Sequence, residues 1–408
     1  MDGGGLWSHG RGRVLLVCWL GWVFDFFDLI LFAFVKPAVG ADLGLDLVAL
    51  GWVDGATLFA TALGGFAFGR LADRRGRRFA LGAAIVCYSL GAGATALATD
   101  FTTLLLARVV TGLGVGGEWG IGHALVAERF PERLRDRAHG ILQAGSPVAM
   151  ALAAVVGCFV APEVGWRACF AAAALPALLA LALRWALPDA PARTEVQHAP
   201  LPARALFAPQ WRRASTVLFA LLLLHMTGFW CVYAWLPNAL LRDGGATLAT
   251  VGLVQVALNA VHVVADVGFG FLAGRFGRVR MLVVFCLSFA LGQALVGASL
   301  AVLLQQPMLL FAAVTLMGVG AGTWSCFGAL FGVLHPPELR ATASSTFYSA
   351  ARGAQLFSQP LMAWLFSATG SFAPALWVGA GCSLLSAFVA LALPRGAGAQ
   401  SVSRAASQ

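Results

Sequence analysis

Asp25 and Asp28 lie inside "GWVFDFFDLILF" (residues 21–32), an otherwise apolar run. A spacing of three places both carboxyls on nearly one face of a helix. Two neighbouring carboxylates in a low-dielectric medium cannot both ionise cheaply, so such a pair is a place where a proton can be held. Another acid, Glu118, stands in "GVGGEWGIG" (Gly114 to Gly122), and Asn259, His262 and Asp266 follow one another at spacings of three and four in "NAVHVVAD". Those spacings align the three on one helical face. The complementary charge is Arg352 in "FYSAARG" (Phe347 to Gly353), with Tyr348 one turn before it. A guanidinium offers two parallel donors to a carboxylate, supplying charge and orientation together, and a tyrosine hydroxyl on the same face adds another donor.

Each of these readings stands beside a structural one. For the two aspartates the structural alternative is hydrogen bonding within a bundle, and Glu118 either handles a proton or pairs with a basic group. Arg108 is expected to pair with an acid at similar depth, Asp28 or Asp54. Arg352 has Asp25, Asp28 and Asp266 as possible ion-pair partners. A buried histidine is more often a satisfied packing residue than a switch, which applies to His262 and more strongly to His225. Trp230, Tyr233 and Trp235 either cap a bound solute or form an interfacial aromatic belt.

The elements that must position these residues are membrane helices. Of 408 residues, 60% are hydrophobic and 11% charged. With about 20 helical residues needed per crossing, the sequence predicts twelve spans, at 13–38, 47–72, 79–98, 101–127, 137–161, 165–187, 213–241, 247–273, 280–302, 307–335, 340–366 and 371–393. A charge at the centre of such a helix costs about 2.5 to 3.5 kcal/mol on insertion scales, so intramembrane acids and arginines are functional-site candidates by default. The first span is too long and too acidic for a cleavable signal peptide.

The net charge of +9 reflects topology rather than nucleic-acid binding. Of the 27 basic residues, all but Lys36, Arg167, Arg242, Arg108 and Arg352 fall at one face, and the positive-inside rule makes that face, with both termini, cytoplasmic. All eight cysteines lie in predicted spans with no CxxC pair, which suits apolar packing rather than disulfides or metal ligation. Richness in Ala, Gly and Arg with a single lysine points to a GC-rich bacterial source and hence an inner membrane.

The chain divides into an N-terminal six-helix half at 1–187, a cytoplasmic linker at 188–212 carrying five prolines, a C-terminal six-helix half at 213–394 and a cytoplasmic tail at 395–408. The halves repeat: "GRLADRRGRR" (Gly69 to Arg78) is echoed by "GFLAGRFGRVR" (Gly270 to Arg280), and "FPERLRDRA" (Phe130 to Ala138) by "HPPELRATA" (His335 to Ala343). Parallel six-helix repeats are the arrangement of transporters whose halves rock about a midplane site.

"GRLADRRGRR" resembles the signature loop of the major facilitator superfamily, and the layout is similar along essentially the whole chain. The resemblance implies an all-α polytopic protein with twelve membrane helices in two halves. It implies a conformational latch made by Asp73 with Arg74, Arg77 and Arg78; in the second copy Gly274 replaces the acid. "FDFFDLILF", "GVGGEWGIG" and "FYSAARG" together resemble the sialate and lactate proton-symporter branch, with Ser349 where that pattern has Asn. That resemblance implies proton-coupled uptake of a small organic anion, a monocarboxylate such as lactate or pyruvate, with sialic acid or an aromatic acid as alternatives. Substrate binding is expected at Arg352, Tyr348, Asn259 and His262, and proton coupling at Asp25, Asp28, Glu118 and Asp266. No cofactor is implied, the coupling ion being the proton; the expected partners are the solute and the bilayer, with the protein acting as a monomer.

Competing functions find little support. "TGLGVGGEWG" satisfies GxGxxG, but no βαβ unit surrounds it, and glycines in a membrane helix serve close packing. The Gly-Pro-x-x-Gly-Gly pattern common in efflux antiporters of the superfamily is replaced by "GSPVAMALA". Neither HExxH, GxSxG, a P-loop nor CxxC occurs, which argues against an enzyme.

Overall fold

The computed structural model of the chain describes Trp7 and residues 10–175, 202–298 and 300–394, and among these there is no strand. The first half contains α1 (Arg11–Leu43), α2 (Leu47–Arg75), α3 (Arg77–Ala96), α4 (Phe101–Arg129), α5 (Glu132–Gln143), α6 (Gly145–Val155), α7 (Ala161–Val164) and α8 (Trp166–Ala173), with a π-helical turn at Val156–Val160 between α6 and α7. A 3₁₀ turn at Ala203–Phe207 precedes α9 (Pro209–Arg242), α10 (Leu248–Phe276), α11 (Arg278–Ala298), α12 (Leu300–Gln305), α13 (Pro307–Ala321), α14 (Trp324–Leu334), α15 (Pro337–Gly353), α16 (Gln355–Thr369) and α17 (Ala373–Leu391).

Among the described residues ten helical stretches are long and apolar enough to cross a membrane, and they coincide with ten of the twelve expected spans. The expected span at 165–187 begins as α8, but residues 176–187 lie outside the described residues. The expected span at 340–366 is broken at Ala354 into α15 and α16; Arg352, Gln355 and Gln359 make this stretch polar, and Pro360 removes a backbone donor within α16. Of the expected linker, 188–201 lies outside the described residues, as does the tail, and its end is already helical because α9 starts at Pro209.

The chain forms two compact units, Met1–Glu195 with Gln355–Ala363, and Val196–Ala354 with Trp364–Gln408. Each repeats the same local devices. Asp46 caps α2 by accepting the Ala49 N–H at 2.7 Å, and Thr247 caps α10 by accepting the Thr250 N–H at 3.2 Å. α2 and α3 are joined through Gly76 at φ +88°, and α10 and α11 through Gly277 at φ +94°, a backbone region that disfavours any side chain.

The glycines of "TGLGVGGEWG" make the packing. Gly112 and Gly116 of α4 meet the Thr57 and Thr61 carbonyls of α2, while Gly114 between them meets the backbone of Tyr88 in α3. In the second unit Gly318 and Gly322 of the α13 stretch meet Leu258, Val261 and Ala265 of α10, and Gly320 meets Phe289 of α11. Backbones approach this closely only where no Cβ intervenes. Gly116→Leu is therefore expected to cost at least the upper end of the roughly 1 to 3 kcal/mol typical of overpacking. Gly120→Leu, with nothing within 4 Å of its added Cβ, should melt in detergent like the wild type. Equal melting temperatures for the two variants would contradict the packing role.

Candidate functional site

In the first unit, α1 and α4 bring buried charges together. Asp25 and Asp28 are both fully buried, as is Arg108, whose Nη1 lies 2.5 Å from Asp28 Oδ2. The guanidinium is also flanked by the rings of Phe32 and Phe170, at 5.1 and 5.5 Å. This is the ion pair that the depth of Arg108 anticipates. Lys36, which falls within the expected span at 13–38, lies inside α1, fully buried and ion-paired with Asp54 of α2. Arg108 is within electrostatic range of both members of that pair. Asp28, Arg108, Asp54 and Lys36 thus form an alternating set of four charges with no net charge, which is how buried ions are tolerated.

Glu118 lies deeper along α4 and is 1% exposed, and neither carboxyl oxygen has a hydrogen-bond partner among the described residues. It fits against Gly21 of α1, where any Cβ would overlap the carboxyl. Tyr88 of α3, which sequence reasoning missed, sits within the field of Glu118, Asp25 and Asp28, and its buried hydroxyl likewise has no hydrogen-bond partner among the described residues. Position 88 is invisible to a motif search because its role depends on how α3 crosses α4 at Gly114.

The second unit holds an aromatic cluster. Arg352, 2% exposed, lies over the Tyr348 ring at 5.7 Å. Tyr348 packs on Trp324 at 6.1 Å, Trp324 on Phe229 at 5.4 Å, and Phe229 on Tyr233 at 4.3 Å. The run ends in polar groups: the Tyr233 hydroxyl is 3.1 Å from His262 Nδ1, and His262 Nε2 is 3.5 Å from Asp266 Oδ2. Phe229 and Trp324 were not among the sequence candidates. The repeated glycines show what could have found Trp324: aligning Gly112, Gly114 and Gly116 with Gly318, Gly320 and Gly322 places Trp324 at the register position of Glu118. One unit carries an acid there and the other a ring.

Other expectations resolve individually. Asn259, His262 and Asp266 do share a face of α10, and Gln255 joins them one turn earlier; all four are buried. Trp230, Tyr233 and Trp235 are at most 4% exposed, so they do not form an interfacial belt. His225 is a satisfied packing residue, its Nε2 lying 2.7 Å from the Thr323 hydroxyl among the rings of Phe289, Trp324 and Phe327. At the expected latch, Arg74 is exposed and Arg77 and Arg78 are half-buried, while the Asp73 side chain lies outside what is described. Among the described residues no cluster of three or more His, Cys, Asp or Glu is arranged to hold a metal.

Three relatives bear on these features. The putative niacin/nicotinamide transporter of Bacillus subtilis (strain 168) is 28% identical over 364 residues, covering 88% of this chain and 90% of that protein. The sialic acid transporter NanX of Escherichia coli (strain K12) is 27% identical over 276 residues, 67% of each. The 4-hydroxybenzoate transporter PcaK of Pseudomonas aeruginosa is 29% identical over 393 residues, covering 88% of this chain and 86% of that protein. The sequence matches the profile of the Major Facilitator Superfamily over residues 18–239 and again over 218–408. With that match across nearly its full length, two helical units built on one packing register and spans enough for a polytopic protein, the chain is a membrane transporter rather than an enzyme and belongs to the Major Facilitator Superfamily.

Proposed function

We propose that the protein couples uptake of an aromatic carboxylate to protons by alternating access. The observation that carries this reading is Arg352 over Tyr348 at the head of a run of packed rings. In the bound state the guanidinium donates to both carboxylate oxygens, and the faces of Tyr348, Trp324 and Phe229 receive the ring, offset or edge-on. Lactate or pyruvate would leave those faces unfilled. Sialic acid presents hydroxyls that rings do not satisfy, and an unpaired buried polar group costs about 1 to 3 kcal/mol. The relatives named for niacin and 4-hydroxybenzoate support the aromatic choice.

Proton coupling follows from charge. Moving an anion inward against the membrane potential costs about 2.3 kcal/mol per charge for each 100 mV, and one accompanying proton cancels that cost. The first unit offers two receivers. Protonating Asp28 releases Arg108 from its carboxylate, and protonating Glu118 discharges an acid that has no hydrogen-bond partner among the described residues. Asp25 in the first unit and Asp266 in the second are further titratable groups. Within this reading the basic-residue asymmetry puts both termini in the cytoplasm of a bacterium, and the arginines about Gly76 latch one conformation of a monomer.

Proteoliposomes with an imposed pH gradient, acid outside, test the proposal. Labelled 4-hydroxybenzoate is expected to accumulate well above protein-free vesicles, with nicotinate competing and lactate at equal concentration not competing. Competition by lactate as strong as by nicotinate would overturn the aromatic assignment.

A further inference from the structure

The α10 stripe contains polar atoms that the coupling chemistry leaves unused. Gln255 is 1% exposed, and both its Oε1 and Nε2 lack a hydrogen-bond partner among the described residues. Asn259, fully buried, donates its Nδ2 to the Gln255 backbone carbonyl at 2.8 Å, and its Oδ1 has no partner among the described residues. The indole N–H of Trp230, on the neighbouring α9 and 4% exposed, is also without one among the described residues. Buried polar groups are nearly always hydrogen-bonded, so three side chains within two helices holding two donors and two acceptors in reserve require an explanation. Their position supplies it. Gln255 and Asn259 share a face with His262, and His262 is hydrogen-bonded to Tyr233 at the end of the ring run remote from Arg352.

We infer that Gln255 and Asn259 determine specificity by reading a polar substituent on the substrate ring, a hydroxyl group or a ring nitrogen, while Arg352 holds the carboxylate. This rests on the aromatic-acid reading and narrows it: the substrate is an aromatic acid with a second hydrogen-bonding group, not an unsubstituted one. An amide donates through its NH₂ and accepts through its oxygen, so Gln255 suits either a hydroxyl or a ring nitrogen. A site built to hydrogen-bond such a group discriminates strongly against the analogue lacking it, because its own polar atoms then stay unpaired. Gln255→Leu or Asn259→Leu removes that penalty.

The test measures binding to purified wild type, Gln255→Leu and Asn259→Leu, using benzoate, 3-hydroxybenzoate, 4-hydroxybenzoate and nicotinate as probes. The wild type is expected to bind at least one substituted acid about tenfold or more tighter than benzoate. At least one variant is expected to bring that ratio to within about twofold while still binding benzoate, which also reports that it is folded. If the wild type binds benzoate as tightly as every substituted acid, or if the preference persists in both variants, the inference is overturned and the aromatic-acid reading stands. If no probe binds the wild type, both fall. A variant that fails to bind benzoate is replaced by the corresponding Gln255→Met or Asn259→Ala, for which the same ratio is decisive.

Discussion

Arg352→Gln is expected to lose on the order of 100-fold in affinity for an aromatic carboxylate. Truncating one partner of a buried, hydrogen-bonded charge pair costs about 2 to 5 kcal/mol, and about 3 kcal/mol is roughly two decades in affinity. Arg352→Lys should recover only part of the loss, because an ammonium is a point charge without the planar fork that matches a carboxylate. Binding measured calorimetrically with 4-hydroxybenzoate checks both. The glutamine variant keeps a polar side chain beside Tyr348, so its melting temperature should stay near that of the wild type. Undiminished affinity in Arg352→Gln would remove Arg352 as the anchor and leave the carboxylate to another cation.

Asp28→Asn carries the second large effect, and it divides into two readouts. Uptake driven by an acid-outside gradient should vanish, while exchange of internal labelled solute for external unlabelled solute should continue, because exchange needs no net proton movement. Stability should fall as well. Arg108 would then face a neutral amide, and removing one partner of a buried ion pair costs about 3 to 5 kcal/mol. Adding Arg108→Gln to Asp28→Asn removes the orphaned charge, so the double variant is expected to melt higher than the single one. If Asp28→Asn keeps an unchanged pH dependence and Glu118→Gln loses it, the proton resides on Glu118 and the Asp28–Arg108 pair is structural.

What the sequence made legible follows from the scale of each signal. Apolar runs of 20 residues or more are long-range patterns, and ten of them became membrane helices with closely matching limits. The charges inside those runs stood out because they are costly there, so Asp25, Asp28, Glu118, Arg108, Arg352 and Asp266 could all be named in advance. The partner of Lys36 was not legible, because its ion pair with Asp54 joins α1 to α2 and only their packing brings the two together. The break at Ala354 was hidden because a one-residue irregularity leaves average hydropathy unchanged. Tyr88, Phe229 and Trp324 were missed for a different reason: an aromatic residue in a membrane helix is ordinary until the packing shows what it touches. The stretch after Gly112 illustrates the limit. Its glycines were correctly assigned to close packing, but only the contacts with α2 and α3 show that they set a register shared by both units.

The most direct measurement is of proton and anion movement together. Proteoliposomes loaded with a pH-sensitive dye, held at equal internal and external pH, would receive 4-hydroxybenzoate outside, with protein-free vesicles reporting passive entry of the neutral acid. Symport predicts that the lumen acidifies faster than in the control as labelled anion enters, and that the Asp28→Asn variant loses the difference. Uptake of the anion with no proton movement beyond the control, or with alkalinisation of the lumen, would contradict proton-coupled uptake and turn the assignment toward uniport or antiport.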